Sequence, residues 1–267
     1  MKNNKKNNQP IGVFDSGVGG LSVLKELEHL LPNEDFIFLA DQLYLPYGEK
    51  NKKELISRVS KITDYFIHQH NIKMMIMACN TATSNTIDDL RKKYSFPIVG
   101  TIPAVKVAAE KTKTGTIAVI STVATSKSQA LKKLINNYCQ SMHVLNIGCK
   151  NLVEMVERGL PSVVDKLLLE YLEPVVDSNA DYLVLGCTHY PFLKKNIKKI
   201  VGRKVKFLDS GKAIAKRARF LLVTNSMVNN QKKHGKTSYF TTLDPSKFSK
   251  TANLLLKSKI IAKKAKV

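Results

Sequence analysis

The 267-residue chain predicts an α/β protein of two domains, each built on a parallel sheet, and three observations carry that expectation. Short, unbroken apolar runs alternate with longer amphipathic stretches, the pattern of strands covered on both faces by helices. The alternation restarts after Gly100. One kind of strand ending also occurs twice, as Met74-Met75-Ile76-Met77-Ala78-Cys79-Asn80-Thr81 and as Tyr182-Leu183-Val184-Leu185-Gly186-Cys187-Thr188-His189.

Ile11-Gly12-Val13-Phe14-Asp15 reads as the first buried strand. Ser16-Gly17-Val18-Gly19-Gly20 follows, and then an amphipathic helix through Leu21, Leu24, Leu27, Leu30 and Leu31. A glycine-rich turn between strand and helix brings backbone N–H groups close to an anion. Its spacing is neither the dinucleotide fingerprint nor a phosphate loop, and suits a small carboxylate. Asp15, at the strand end, is a candidate to orient an ammonium group or relay a proton, with helix capping as the alternative. A second strand over 36–41 leads to a loop holding Pro46-Tyr47-Gly48 and a helix over 53–70. His68 and His70 are two apart on that helix, so they do not face one another as a metal pair.

The Cys79 strand comes next. Asn80 and Thr81 are residues that cap a helix start, and a helix runs on through Ile87, Leu90 and Tyr94 before a strand over 96–100. The second series predicts a helix over 103–113, a strand over 116–122, a helix over 126–138 and a strand over 144–147. A short helix over 151–158 carries Glu154 and Glu157, and a longer one spans 163–176. The Cys187 strand follows, with Pro191 in the first turn of its helix, and then a strand over 205–209. Asp209-Ser210-Gly211 echoes Asp15-Ser16-Gly17 as another strand-to-helix turn with a capping role. The helix over 212–223 and the segment 237–256 are too little for a third domain. The economical division is therefore 1–100 plus 210–267 for the first domain and 101–209 for the second.

An apolar fraction of 43% is that of a globular protein. No run reaches the length of a membrane span and no secretory signal is apparent, so a cytoplasmic protein is expected. Four cysteines without a CxxC pair read as reduced thiols, with Cys139 and Cys149 as small apolar filler. The net charge of +22 is spread as lysines over nearly every helix, with one cluster over 257–266. Solvated helix faces explain it, and nucleic acid is expected to bind only weakly and non-specifically.

At a helix start the exposed N–H groups and the dipole favour thiolate over thiol, so Cys79 and Cys187 are each a candidate base or nucleophile. Ligands of open α/β sheets sit beyond the carboxyl ends of the strands. If the two domains face each other, the two thiols line opposite walls of one cleft, the geometry for removing a proton from one face of a carbon and returning it to the other. Racemisation is that reaction. Covalent thiol catalysis would want a histidine behind one cysteine, and only Cys187 has one, His189. No Cys or His spacing supports a metal site.

These segments resemble the glutamate racemases of bacterial cell-wall synthesis, within the wider aspartate/glutamate racemase family. The matching stretches are Ile11 to Ser22, Pro46-Tyr47-Gly48, Ala78-Cys79-Asn80-Thr81-Ala82-Thr83 and Leu185-Gly186-Cys187-Thr188-His189-Tyr190-Pro191, in family order. The resemblance implies cofactor-independent interconversion of L- and D-glutamate by two flavodoxin-like domains about a pseudo-dyad, with the active site in the cleft between them, in a homodimer. Cys79 would take the proton from the D isomer and Cys187 from the L isomer. Asp15, Ser16, Tyr47, Gly48, Asn80, Thr81, Thr188 and His189 would hold substrate. Asp15, His189 and Glu157 would tune the cysteines or relay protons to them. Two departures stand out: the segment before Glu157 keeps only part of the family pattern, and Tyr44 occupies a position that is commonly Arg. An aspartate or other amino-acid racemase, a basic nucleic-acid-binding protein and a thiol-redox protein are the competing readings.

Overall fold

The structure is a computed structural model that describes residues 7–267, and the basic stretch 1–6 lies outside them. The chain runs β1 (Ile11–Asp15), α1 (Leu21–Leu30), β2 (Phe36–Ala40), α2 (Lys52–His70), β3 (Met74–Met77), α3 (Asn80–Lys93) and β4 (Ile98–Gly100). It continues through α4 (Val105–Lys111), β5 (Thr116–Thr122), α5 (Val123–Lys127), α6 (Gln129–Tyr138), β6 (His143–Cys149), α7 (Leu152–Glu157) and α8 (Val164–Asp177). Last come β7 (Tyr182–Leu185), α9 (Lys194–Val201), β8 (Lys206–Leu208), α10 (Gly211–Thr224), β9 (Thr237–Thr241), α11 (Pro245–Leu256) and β10 (Ala262–Lys264). Two compact units result: the chain up to Thr101 with Gly211–Val267, and Ile102–Ser210.

The first unit holds a six-stranded parallel sheet in the order β10-β9-β2-β1-β3-β4. Because β2 lies on one side of β1 and β3 on the other, the winding reverses there, and such a switch point opens a crevice at the carboxyl ends of the strands. Asp15 ends β1 and Cys79 follows β3 at that crevice. The central strands β1, β2 and β3 are almost wholly apolar because both faces are covered: Phe14, Met75 and Met77 pack with Leu55, Val59, Ile62 and Phe66 of α2. Each such fully buried side chain stabilises the unit by about 1.5–3 kcal/mol. Asn51 starts α2 with a capping box, its side chain accepting from the Glu54 N–H while Glu54 reaches back to the Asn51 N–H.

Gly20 marks a close approach between turn and strand. A Cβ there would lie 2.5 Å from Asp15 Cβ and 3.0 Å from Phe38 Cε2. Gly20→Ala is predicted to push Asp15 aside and to cost about 1–3 kcal/mol. A denaturant midpoint equal to that of the unsubstituted chain would contradict this.

The second unit holds a four-stranded parallel sheet, β6-β5-β7-β8, with its own switch point between β5 and β7. The two switch points share a backbone detail. Ala78 N–H donates to Phe14 O at 2.8 Å in the first unit, and Gly186 N–H donates to Ile120 O at 2.8 Å in the second. The residue before each cysteine is therefore pinned to the central strand of its own sheet.

Two expectations need correction. A single helix over 126–138 is replaced by α5 and α6, because Ser128 stays extended and its side chain accepts from Leu131 N–H at 3.2 Å, capping a new helix. The lysine cluster over 257–266 is also more than a charged tail. Ala262 and Ala265 are buried, and β10 pairs in parallel with β9 at the edge of the first sheet.

Candidate active site

In the first unit the Cys79 sulfur is itself the N-cap of α3, accepting from Ala82 N–H at 3.4 Å. This corrects the expectation that Asn80 or Thr81 caps the helix, for both have already entered its first turn. The thiol donates to Ser16 Oγ at 3.6 Å, and the Ser16 hydroxyl donates to Asp15 Oδ1 at 3.3 Å. Asp15, fully buried, also accepts from Gly17 N–H at 2.9 Å. Sulfur, hydroxyl and carboxylate thus form one hydrogen-bonded line along which a proton can move. Asn80 Oδ1 is buried beside Cys79 and meets no donor among the described residues, so it is an acceptor suited to an ammonium group. Thr81 is buried next to it.

The loop after β2 completes this half. Tyr47 is buried and its hydroxyl donates to Asp41 Oδ2 at 2.6 Å, so the side chain is already engaged. What it presents is the exposed Gly48 and the backbone of the Tyr47–Glu49 turn, whose first N–H groups have no acceptor within the turn. Burial, the Asp41 charge and the bond to Asp41 hold the Tyr47 phenol well above its ordinary pKa, against the lowering effect of Arg58.

In the second unit Cys187 follows β7, and a 3-10 turn over Tyr190–Leu193 leads to α9, where one helix was expected. The turn begins with Tyr190 N–H donating to Cys187 O at 3.2 Å. His189 Nδ1 lies 3.8 Å from Cys187 Sγ, and its Nε2 lies 2.7 Å from Glu157 Oε1, supplied by the end of α7. Burial opposes a charged ring here. The hydrogen bonds to Cys187 and Glu157, with the negative charge of both, outweigh it and raise the His189 pKa well above 6.5. Here too a sulfur is linked through one intermediate group to a carboxylate. Thr188 is buried between Cys187 and His189 in sequence.

Cys149 ends β6 in this unit. Burial and the neighbouring Cys187 charge push its thiol up to about 12, against weaker stabilisation from Tyr190 and the Ser121 backbone, so it stays protonated. Cys139 is buried in the apolar core between α4, α6 and the sheet. All four thiols are free. Among the described residues no three or more His, Cys, Asp or Glu side chains are arranged to hold a metal ion, and no helix is long and apolar enough to cross a membrane.

Sequence reasoning missed the side chains that support the loop at 41–48. Arg58 of α2 binds Asp41 through Nε at 2.9 Å and Nη2 at 2.6 Å, both side chains being buried. A signal was present, because Arg58 falls on the apolar stripe Leu55, Val59, Ile62 and Phe66, where an unpaired cation would not be tolerated. Asp209, expected as a cap, accepts from Lys194 Nζ at 2.6 Å, and the Ser210 hydroxyl donates to Ile102 O.

Known proteins resemble the chain along almost its whole length. The glutamate racemase of Herpetosiphon aurantiacus is 40% identical over 249 residues, 92% of this chain and 98% of that protein. A glutamate racemase isoform of Bacillus anthracis superposes with a TM-score of 0.88 at 32% identity, covering 98% of both chains. The glutamate racemase of Francisella tularensis, solved with D-glutamate, gives 0.83 at 31% identity, covering 97% of this chain and 98% of that one. The family model described as Asp/Glu/Hydantoin racemase matches residues 11–218, and the chain belongs to that family.

Proposed function

We propose that the enzyme interconverts L- and D-glutamate by two-base proton transfer at Cα, Cys79 taking the proton from the D isomer and Cys187 from the L isomer. As an amino-acid racemase it is an isomerase, and the kinship with glutamate racemases supports glutamate as the substrate. The observation that carries the two-base mechanism is the repeated construction. Each sulfur stands just past a strand at the switch point of its own sheet, linked through Ser16 or His189 to a carboxylate, Asp15 or Glu157. A two-base inversion needs one group deprotonated while the other carries a proton, and two coupled thiols can supply that pair.

The chemistry sets the remaining roles. The Cα–H of an amino acid is far less acidic than a thiol of pKa about 8.5, so carbanionic character must be stabilised where it develops. Asn80 Oδ1 accepts from the substrate ammonium, while Ser16, Thr81, Thr188 and the Tyr47–Gly48 backbone hold carboxylates. Such an enzyme works in the cytoplasm and supplies D-glutamate for peptidoglycan.

Incubation of either glutamate enantiomer in D2O is expected to give the other isomer carrying deuterium at Cα, with aspartate turned over much more slowly. Faster racemisation of aspartate would reassign the substrate while leaving the mechanism. Absence of α-exchange with both amino acids would end the proposal.

A further inference from the structure

We propose that Arg58 is a positioning residue for the substrate, acting through Asp41 and Tyr47 to fix the Tyr47–Gly48 peptide beside Cys79. The inference rests on the function proposed above. Asp41 stands just past β2, its N–H donating to Asp15 O at 2.9 Å, so the loop that it begins is tied to the strand end carrying the Asp15 carboxylate. The Asp41 carboxylate is fully buried and is gripped from both sides. Arg58 takes both oxygens in a bidentate fork, and Tyr47 Oη shares Oδ2 at 2.6 Å.

The Tyr47 ring in turn packs against Phe14 at a centroid distance of 5.9 Å and belongs to the same buried cluster as Cys79 and Ala82. Fixing the phenol therefore fixes the peptide that follows it, relative to the sulfur. The guanidinium has two further contacts. It lies 4.3 Å from the centroid of the Tyr44 ring, and its Nη1 donates to Val267 O at 3.0 Å. The residues after β10 thus reach the same anchor. From the neighbouring strand, Thr242 Oγ1 accepts from Leu43 N–H at 3.0 Å and the Thr241 hydroxyl donates to Gln42 Oε1 at 2.8 Å.

A planar fork on a buried carboxylate sets direction as well as charge, which a lone ammonium cannot do. A buried ion pair adds little net stability over an apolar replacement, so its use here is orientation of the loop. Arg58 acts at one remove, since its hydrogen bonds run to Asp41 and Val267 and not to Cys79 or the Asp15 carboxylate.

The test measures calorimetric binding of D-glutamate, together with kcat and KM, in Arg58→Met, in Tyr47→Phe and in Arg58→Met combined with Tyr44→Arg. Arg58→Met is expected to weaken binding and raise KM by about tenfold or more, with a smaller fall in kcat, because the carboxylate-holding peptide is misplaced and the bases are not. Arginine at 44, starting from the ring position stacked on the native guanidinium, is expected to return most of the affinity. Wild-type affinity in folded Arg58→Met, or a loss that Tyr44→Arg does not return, overturns the proposal. If Arg58→Met does not fold, Tyr47→Phe decides: a raised KM supports the proposal and an unchanged one overturns it. Failure of the unsubstituted enzyme to bind either glutamate isomer would instead refute the function on which the inference rests.

Discussion

Cys79→Ser and Cys187→Ser are each expected to abolish net racemisation of glutamate, lowering kcat by about 10²–10⁴-fold or more. A serine hydroxyl fits the space of the thiol but does not ionise in the range where a thiol does, so one face of Cα loses its base. The two variants are not equivalent, and the difference is the sharper prediction. With Cys187 intact, Cys79→Ser can still remove the proton of L-glutamate and return a solvent proton to the same face. It should therefore wash deuterium into L-glutamate without inversion. Cys187→Ser should do the same with D-glutamate only. Nuclear magnetic resonance of the α-proton in D2O, resolved by enantiomer, separates exchange from inversion. Inversion within a few-fold of the unsubstituted rate in either variant would mean that a single sulfur serves both faces.

The placement of these two thiols at strand ends was legible in the sequence for a local reason. A strand covered on both faces must be apolar throughout, so the first polar residue after the run marks its end, and a thiol there stands at the crevice of an open parallel sheet. Both copies obey this, with Ala78 and Gly186 bonded alike to the central strands. The lines linking sulfur to carboxylate were only half legible. Asp15 and Ser16 are neighbours in sequence, but Glu157 comes from α7, 32 residues before His189, and only the fold brings them to 2.7 Å.

Side chains that act across such distances were the ones missed. Arg58 and Asp41 are 17 residues apart on a helix and a loop, and a lone arginine in a lysine-rich chain looks like one more solvated charge. The strand β10 was hidden by its lysines, because an edge strand buries only part of its residues, here Ala262 but not Lys263 and Lys264. The break at Ser128 escaped because a short polar side chain competes for backbone N–H groups that helical periodicity assigns to the helix.

The second large effect is expected at His189. Its pKa is raised because Cys187 and Glu157 outweigh burial, so the ring is charged throughout the range below its ordinary value of 6.5 and remains so above it. The charge is lost only as pH rises through that elevated value. Turnover of L-glutamate, for which Cys187 is the proposed base, is accordingly predicted to fall as pH rises and the imidazolium is discharged. The parameter to follow is kcat, which reports groups in the enzyme–substrate complex and not the free substrate ammonium. His189→Asn is expected to lower kcat by about 10²-fold or more and to remove that alkaline limb, since an amide at the Nδ1 position can still meet the sulfur but carries no charge and no longer reaches Glu157.

Single-base exchange locates the effect. Placed in Cys79→Ser, where exchange of L-glutamate reports Cys187 alone, His189→Asn should slow exchange strongly. Placed in Cys187→Ser, where D-glutamate reports Cys79, it should slow exchange far less, because the partner of Cys79 is the Ser16 hydroxyl, which carries no charge. Equal slowing of both exchanges, or an alkaline limb that survives in His189→Asn, would mean that the ring serves some other group than Cys187. The contrast follows from what stands between sulfur and carboxylate in each unit: an imidazole that titrates on one side, and a hydroxyl that does not on the other.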